Sequence, residues 1–236
     1  PAHAVTTQVR ALVVGHLPVA AAPWVSQHAR DLTAGVGAPV ALLSASGGHA
    51  SLAVYGLDRN APTEQQTSID QAISAAHKLG VTHWLVRTDA LAELALAEQS
   101  RVTGVTLLTG ADEAALVNAY RAVKALTASA PGYEPALQEL HLAVLGSPPA
   151  QARLAAEKLR KAAESFLDTG LTSVTLTEKV SVGAGERLFD GAVERDIDQL
   201  IELIPEQTAP RPAAQQVNTE AAHPLAAPST RDHATP

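Results

Sequence analysis

The chain has 236 residues, of which 46% are hydrophobic and 17% charged, with a formal net charge of −7. That is enough apolar material for a core, and an acidic balance with unclustered Lys and Arg excludes a nucleic-acid binder working through a basic face. The absence of Cys excludes disulfides, zinc–thiolate sites, iron–sulfur clusters and thiol catalysis.

Aromatic residues are 3% of the chain, too few for an aromatic RNA or sugar platform. No apolar run reaches the length of a transmembrane helix, and residues 1–10 lack the layout of a signal peptide. The expectation is a soluble cytoplasmic protein with no membrane insertion and no nucleic-acid partner.

In chain order, residues 9–14 (VRALVV) read as a strand, near-continuous in apolar residues as strands buried on both faces are. A helix follows over 24–32, with Trp24, Val25, His28 and Leu32 on one stripe. Residues 40–43 (VALL) form the second strand. The spacing of Ile69, Ala72, Ile73 and Ala76 predicts a helix over 68–79, and Ser68 suits its N-cap. Strand three is 83–86 (HWLV), followed by a short helix over 91–97. Strand four is 102–108, and Asp112 caps a helix over 112–126. Strand five is 140–145 (LHLAVL), followed by a long helix over 150–166. Strand six is 171–176. A last amphipathic helix is predicted over 192–204, with Val193, Ile197, Leu200, Ile201 and Ile204 on one side.

Alternating strands and helices predict an α/β fold: one doubly wound domain over 8–204, with a mostly parallel sheet flanked by helices. There are too few units for an eight-fold barrel. Residues 205–236 hold six Pro and eight Ala and few large apolar groups, so that tail is expected to be disordered.

Ligands of open α/β sheets bind outside the carboxyl ends of the strands. Residues 15–23 (GHLPVAAAP) follow strand one. A phosphate cradle there needs glycines whose N–H groups converge, and usually a Lys. The loop has one Gly, its two Pro lack N–H donors, and the first Lys of the chain is Lys78. A dinucleotide-type glycine pattern is absent too.

Three stretches nevertheless carry a family pattern. Residues 10–56 (RALVVGHLPVAAAPWVSQHARDLTAGVGAPVALLSASGGHASLAVYG) have a strand, loop, long helix and second strand. Residues 102–126 (VTGVTLLTGADEAALVNAYRAVKAL) have a strand and a helix with the spacing of a TDAY-x-x-IK element. Residues 140–176 (LHLAVLGSPPAQARLAAEKLRKAAESFLDTGLTSVTL) match a strand–helix–strand segment. Together they resemble the MinD/ParA-type deviant Walker ATPases, most of all the branch regulating flagellar number. The likeness spans about residues 10–180 and is one of pattern.

The family's activity motifs do not match. Residues 16–23 replace its glycine- and lysine-rich loop. The acid after its second strand falls on Ser44 or Ser46. Its Walker B Asp falls near Arg87, with Asp89 two residues on, and its adenine-reading Asn falls near Gly146. The resemblance therefore implies a P-loop-NTPase-like fold that has lost ATP hydrolysis, with no cofactor. Such a protein is non-catalytic and acts as a regulatory or scaffolding domain through a protein partner. A homodimer across the face holding His16 and residues 44–49 is a further implication, with Trp24 as an interface anchor.

A second reading is a small-ligand protein or enzyme with a repurposed site at the strand ends. Its candidate residues are His16, Ser44, Ser46, Gly47, Gly48, His49, Arg87 and Asp89. The glycines offer N–H groups to an anion. Arg87 can hold a carboxylate or phosphate, or pair with Asp89 or Asp112. His16, His49, Asp89 and Asp112 lack zinc-ligand spacing, so no metal is assigned. Gly183 to Gly185 reads as a connector. An ATPase with an unconventional loop is the third reading, and it conflicts with the missing Lys.

Overall fold

The computed structural model describes residues 5–14, 17, 22–58, 63–128, 139–167, 170–181 and 185–208. The elements in chain order are β1 (Val5–Thr6), β2 (Gln8–Val13), α1 (Ala22–Val36), β3 (Val40–Ser46), β4 (His49–Tyr55), α2 (Ile69–Lys78), β5 (His83–Arg87), α3 (Glu93–Ala97), β6 (Gly104–Thr109), α4 (Glu113–Ala128), β7 (Leu140–Leu145), α5 (Pro149–Leu167), β8 (Ser173–Thr177), β9 (Glu186–Ala192), α6 (Ile197–Glu202) and β10 (Gln207–Thr208).

Eight strands form one sheet in the order β8-β7-β6-β2-β5-β3-β4-β9. β4 alone runs against the others. All six predicted strands are present and mutually parallel, and the mostly parallel α/β architecture is established. β6 is buried at every position, as a central parallel strand should be.

The step from β2 to β3 moves one way along the sheet, while β5 to β6, β6 to β7 and β7 to β8 move the other way. Right-handed crossovers place helices of opposite movements on opposite faces. Accordingly α1 covers one face, with Val25 and Ala29 against Leu12, Leu42, Leu85 and Leu108. The other helices cover the opposite face, through Ile73, Leu96, Val123, Leu159 and Leu200 among others. Trp84 is 1% exposed in this larger core.

Capping follows the sequence signals. The Ser68 hydroxyl accepts from the Gln71 N–H at 3.3 Å, and Asp112 accepts from the Ala115 N–H at 2.9 Å.

Four departures from expectation matter. Residues 44–49 are not a loop. β3 runs to Ser46, Gly47 and Gly48 make a two-residue turn, and His49 starts the antiparallel β4. Both glycines have positive φ, +57° and +77°, the pattern of a type I′ hairpin turn. The unforeseen β9 pairs with β4 at the sheet edge. The helix predicted over 192–204 is confined to Ile197–Glu202. Ala192 ends β9, the Val193 N–H goes to Gly48 O at 2.9 Å, and Asp196 with Gln199 forms a capping box that starts the helix late. Finally, β10 pairs with β1, which takes the described chain past the expected end at Ile204. Residues 209–236 lie outside the described residues.

Thr177 at the end of β8 and Ser181 beyond it bond to side chains of α1. The Gln27 side-chain oxygen accepts from both the N–H and hydroxyl of Ser181, each at 2.8 Å. Gln27 donates to Asp31 at 2.6 Å, and Asp31 accepts from the Thr177 hydroxyl at 2.7 Å. α1 is thus held between the sheet and the residues that follow β8.

Candidate functional site

The fold singles out the carboxyl end of β2. Its connection goes to one face, while those of its neighbours β5 and β6 go to the other. In open α/β sheets such a divergence marks the place of the ligand crevice. His16 and most of the loop after β2 lie outside the described residues.

The base of that crevice is held by a residue the sequence reading passed over. Glu93, in the first turn of α3, is 3% exposed, and its carboxylate accepts from the Val14 N–H at 2.9 Å. Its only sequence signal is an acid at the start of a helix, which is common at helix N-termini.

Arg87 ends β5 beside Ser44 of β3. It shares the α1 face with Leu85 by strand alternation. It is half-buried and shows no hydrogen bond or ion pair to a described residue. Asp89 is not its partner: it accepts the hydroxyl proton of Ser46 instead. Asp112 is used as the cap of α4. His49 lies 3.2 Å from Asp190 on β9, on the side away from β2. Ser46, His49 and Asp89 are therefore neighbours, but each is drawn into a local contact. Gly47 and Gly48 form the two-residue turn of the β3–β4 hairpin. Among the described residues, no group of three or more His, Asp or Glu is placed to hold a metal.

Trp24 is half-buried. Its ring lies against Gly146, where an added Cβ would come within 3.3 Å of the indole. It belongs to the α1-side core. Gly185 likewise backs onto the Tyr55 ring, at 2.8 Å from a notional Cβ.

An open cavity lies at different strand ends from those expected. It has a volume of about 470 Å³ and sits above β6 and β7, lined by Gly110, Asp112, Gly146, Ser147, Gln151 and Lys158 among others. A second cavity of about 470 Å³ continues along the α4–α5 seam over Leu116, Val117, Tyr120 and Leu159. The two share Ala111, Leu116 and Lys158.

A further polar cluster lies under α1, at the amino-terminal half of the strands. Arg10 bonds to Glu139 at 2.9 Å. His28 of α1 is 3% exposed, and its Nδ1 finds no hydrogen-bond partner among the described residues. Burial chiefly, and then His141 and Arg10, hold its pKa down at about 4 against an opposing pull from Asp31. His141 is also lowered to about 4, first by burial and then by Arg10, with Glu139 opposing. His83 is lowered by burial and by Arg10. These imidazoles are neutral near pH 7.

No family model matches the chain, and no match is found among curated proteins. Among the described residues no helix is long and apolar enough to cross a membrane.

Proposed function

We propose that the chain is a non-catalytic relative of the MinD/ParA-type ATPases, a regulatory or scaffolding domain that works by docking another protein. The observation that carries this reading is Arg87. The strand beside β2 ends in a guanidinium, where the resemblance expects the Walker B acid. A cation there repels magnesium and cannot orient a hydrolytic water by accepting its proton. The neighbouring acid, Asp89, is engaged by Ser46. The glycine pair nearest the crevice shapes a hairpin. Prolines 18 and 23 remove N–H donors from the loop after β2, which contains no Lys.

The test is a thermal-shift titration of the purified chain with ATP, ADP and GTP, each with magnesium. A ligand that binds only the folded state raises the melting temperature by mass action. The expected result is no saturable shift with any of them. A saturable shift with one, or turnover lost in Asp89→Ala, overturns the non-catalytic reading.

The cavity above β6 and β7 favours one second reading, a small-ligand site. It sits at strand carboxyl ends and mixes apolar walls with Asp112, Ser147, Gln151 and Lys158. Under that reading, a screen of small metabolites yields a stabilising ligand whose effect disappears when Ala155→Trp fills the cavity.

A further inference from the structure

The two edges of the sheet are built differently. At the β9 edge, the Gln66 N–H donates to Leu188 O at 2.7 Å, and the strand carries Glu186, Arg187 and Asp190. Charges and a covering segment are how proteins blunt an edge against pairing. β8, at the other edge, reads SVTLT. It has no charge and no Pro, among the described residues it is the terminal strand of the sheet, and Val174 is 41% exposed.

We propose that β8 is the pairing edge of a symmetric homodimer, in which two copies join antiparallel about a two-fold axis at Thr175 to make one continuous sheet. Self-complementarity identifies the occupant as a second copy. Antiparallel pairing centred on Thr175 sets it against its own counterpart. It also sets Val174 against Leu176 of the second copy, on the helix-rich face where Leu176 already packs on the core. Apolar cross-strand pairs of this kind are the stabilising unit of a sheet.

The helix above this edge has the same symmetry in its charges. Gln151, Leu154, Lys158 and Ala162 of α5 face the cavities on the α4 side. Helical rotation leaves Arg153, Glu157, Arg160 and Glu164 on the opposite flank, beyond β8. Their signs run plus, minus, plus, minus. An antiparallel second copy reads the same series backwards, so Arg153 meets Glu164 and Glu157 meets Arg160 across the axis. Within one chain, Arg160 is shared by Glu157 at 2.8 Å and Glu164 at 2.7 Å, while Arg153 shows no ion pair to a described residue. Spacing also fits. Two α5 helices related by this axis lie about two strand spacings apart, roughly 10 Å, which is a helix-packing distance. The helix pair adds area that a five-residue ladder lacks, toward the roughly 800 Å² per partner of a stable complex.

The experiment is sedimentation equilibrium of the full chain across the micromolar range, with circular dichroism as the check on folding. The native chain is expected to sediment as a dimer of the 24.4 kDa protomer. Val174→Pro, which removes an N–H on the free edge of β8, and Arg153→Glu, which sets like charges face to face, should each weaken the dimer by at least about tenfold. Adding Glu164→Arg to Arg153→Glu should restore it. That rescue is not expected of a mere folding defect. A native chain that stays monomeric throughout the range overturns the proposal. So does a dimer indifferent to both Val174→Pro and Arg153→Glu, because its interface lies elsewhere.

Discussion

Arg10 reaches sideways past Gly104, its register partner on β6, and places its guanidinium 2.9 Å from the carboxylate of Glu139. The glycine is what leaves room. A Cβ at position 104 would stand 2.9 Å from the Glu139 carbonyl oxygen and 3.0 Å from its Cβ. Gly104→Ala should therefore destabilise the fold by about 1–3 kcal/mol through forced displacement of the segment entering β7. Urea denaturation measures this. An unchanged midpoint would show that the backbone at Glu139 yields without cost.

The histidines under α1 make stability depend on pH in a definite direction. His28 has a folded-state pKa of about 4, below its unfolded value of 6.5. Above pH 6.5 it is neutral in both states and costs nothing. As pH falls from 6.5 to 4, the unfolded chain takes up a proton that the folded chain does not, so stability is lost across that window. For His28 the loss approaches about 3 kcal/mol by pH 4. His141, lowered to about 4 but less buried, acts in the same direction. Denaturation midpoints from pH 7.5 down to pH 4.5 should fall steadily, and the slope should flatten in His28→Leu. That variant also removes an Nδ1 with no partner among the described residues, so its stability near pH 7 should be equal to or greater than that of the native chain. A His28→Leu chain with an unflattened profile would place the titration elsewhere.

The parallel strands were legible because burial on both faces writes itself as continuous apolar runs such as 140–145. The outer strands were not. β4 alternates Ala50, Leu52 and Val54 with more exposed residues, a period-2 signal masked by the Ser-Gly-Gly-His run that reads as loop. β9 buries only Leu188 and Phe189, side by side across a register shift, so alternation fails there altogether. The stripe of residues 193–204 was real as burial and wrong as helix. Leu200, Ile201 and Ile204 are buried, yet Val193 reaches the core from the end of a strand. At the strand ends, proximity of Ser46, His49 and Asp89 was readable from their place after strands. Their partners were not, because Asp190 lies some 140 residues further along the chain than His49 and is brought near only by β9.

The residues after β8 are tied to α1 through Gln27 and, more exposed, through Arg30, which donates to the Ser181 hydroxyl at 2.6 Å. Gln27 is 7% exposed and accepts twice from Ser181 while donating to Asp31. Gln27→Leu keeps the volume and removes the acceptor, which strands the Ser181 N–H against α1. The expected cost is about 1–3 kcal/mol. Because the contact secures a connection and not the sheet, the change should also raise local opening. Amide exchange over residues 177–181 should quicken while β6 and β7 keep their protection. Equal quickening throughout would mean that Gln27 supports the whole fold.

Glu93 makes the sharpest test of how the crevice is held. Its carboxylate accepts from the Val14 N–H where β2 gives way to the loop, and α3 exists largely to present it: only five residues long, with Leu96 and Ala97 as its remaining buried groups. Glu93→Ala leaves the Val14 N–H without that acceptor in a buried site and should cost about 1–3 kcal/mol. Glu93→Gln keeps an acceptor oxygen in place and should recover most of that loss. Comparing the two by urea denaturation separates hydrogen bonding from charge. If Glu93→Gln is as damaging as Glu93→Ala, the negative charge itself is needed at the exit of β2.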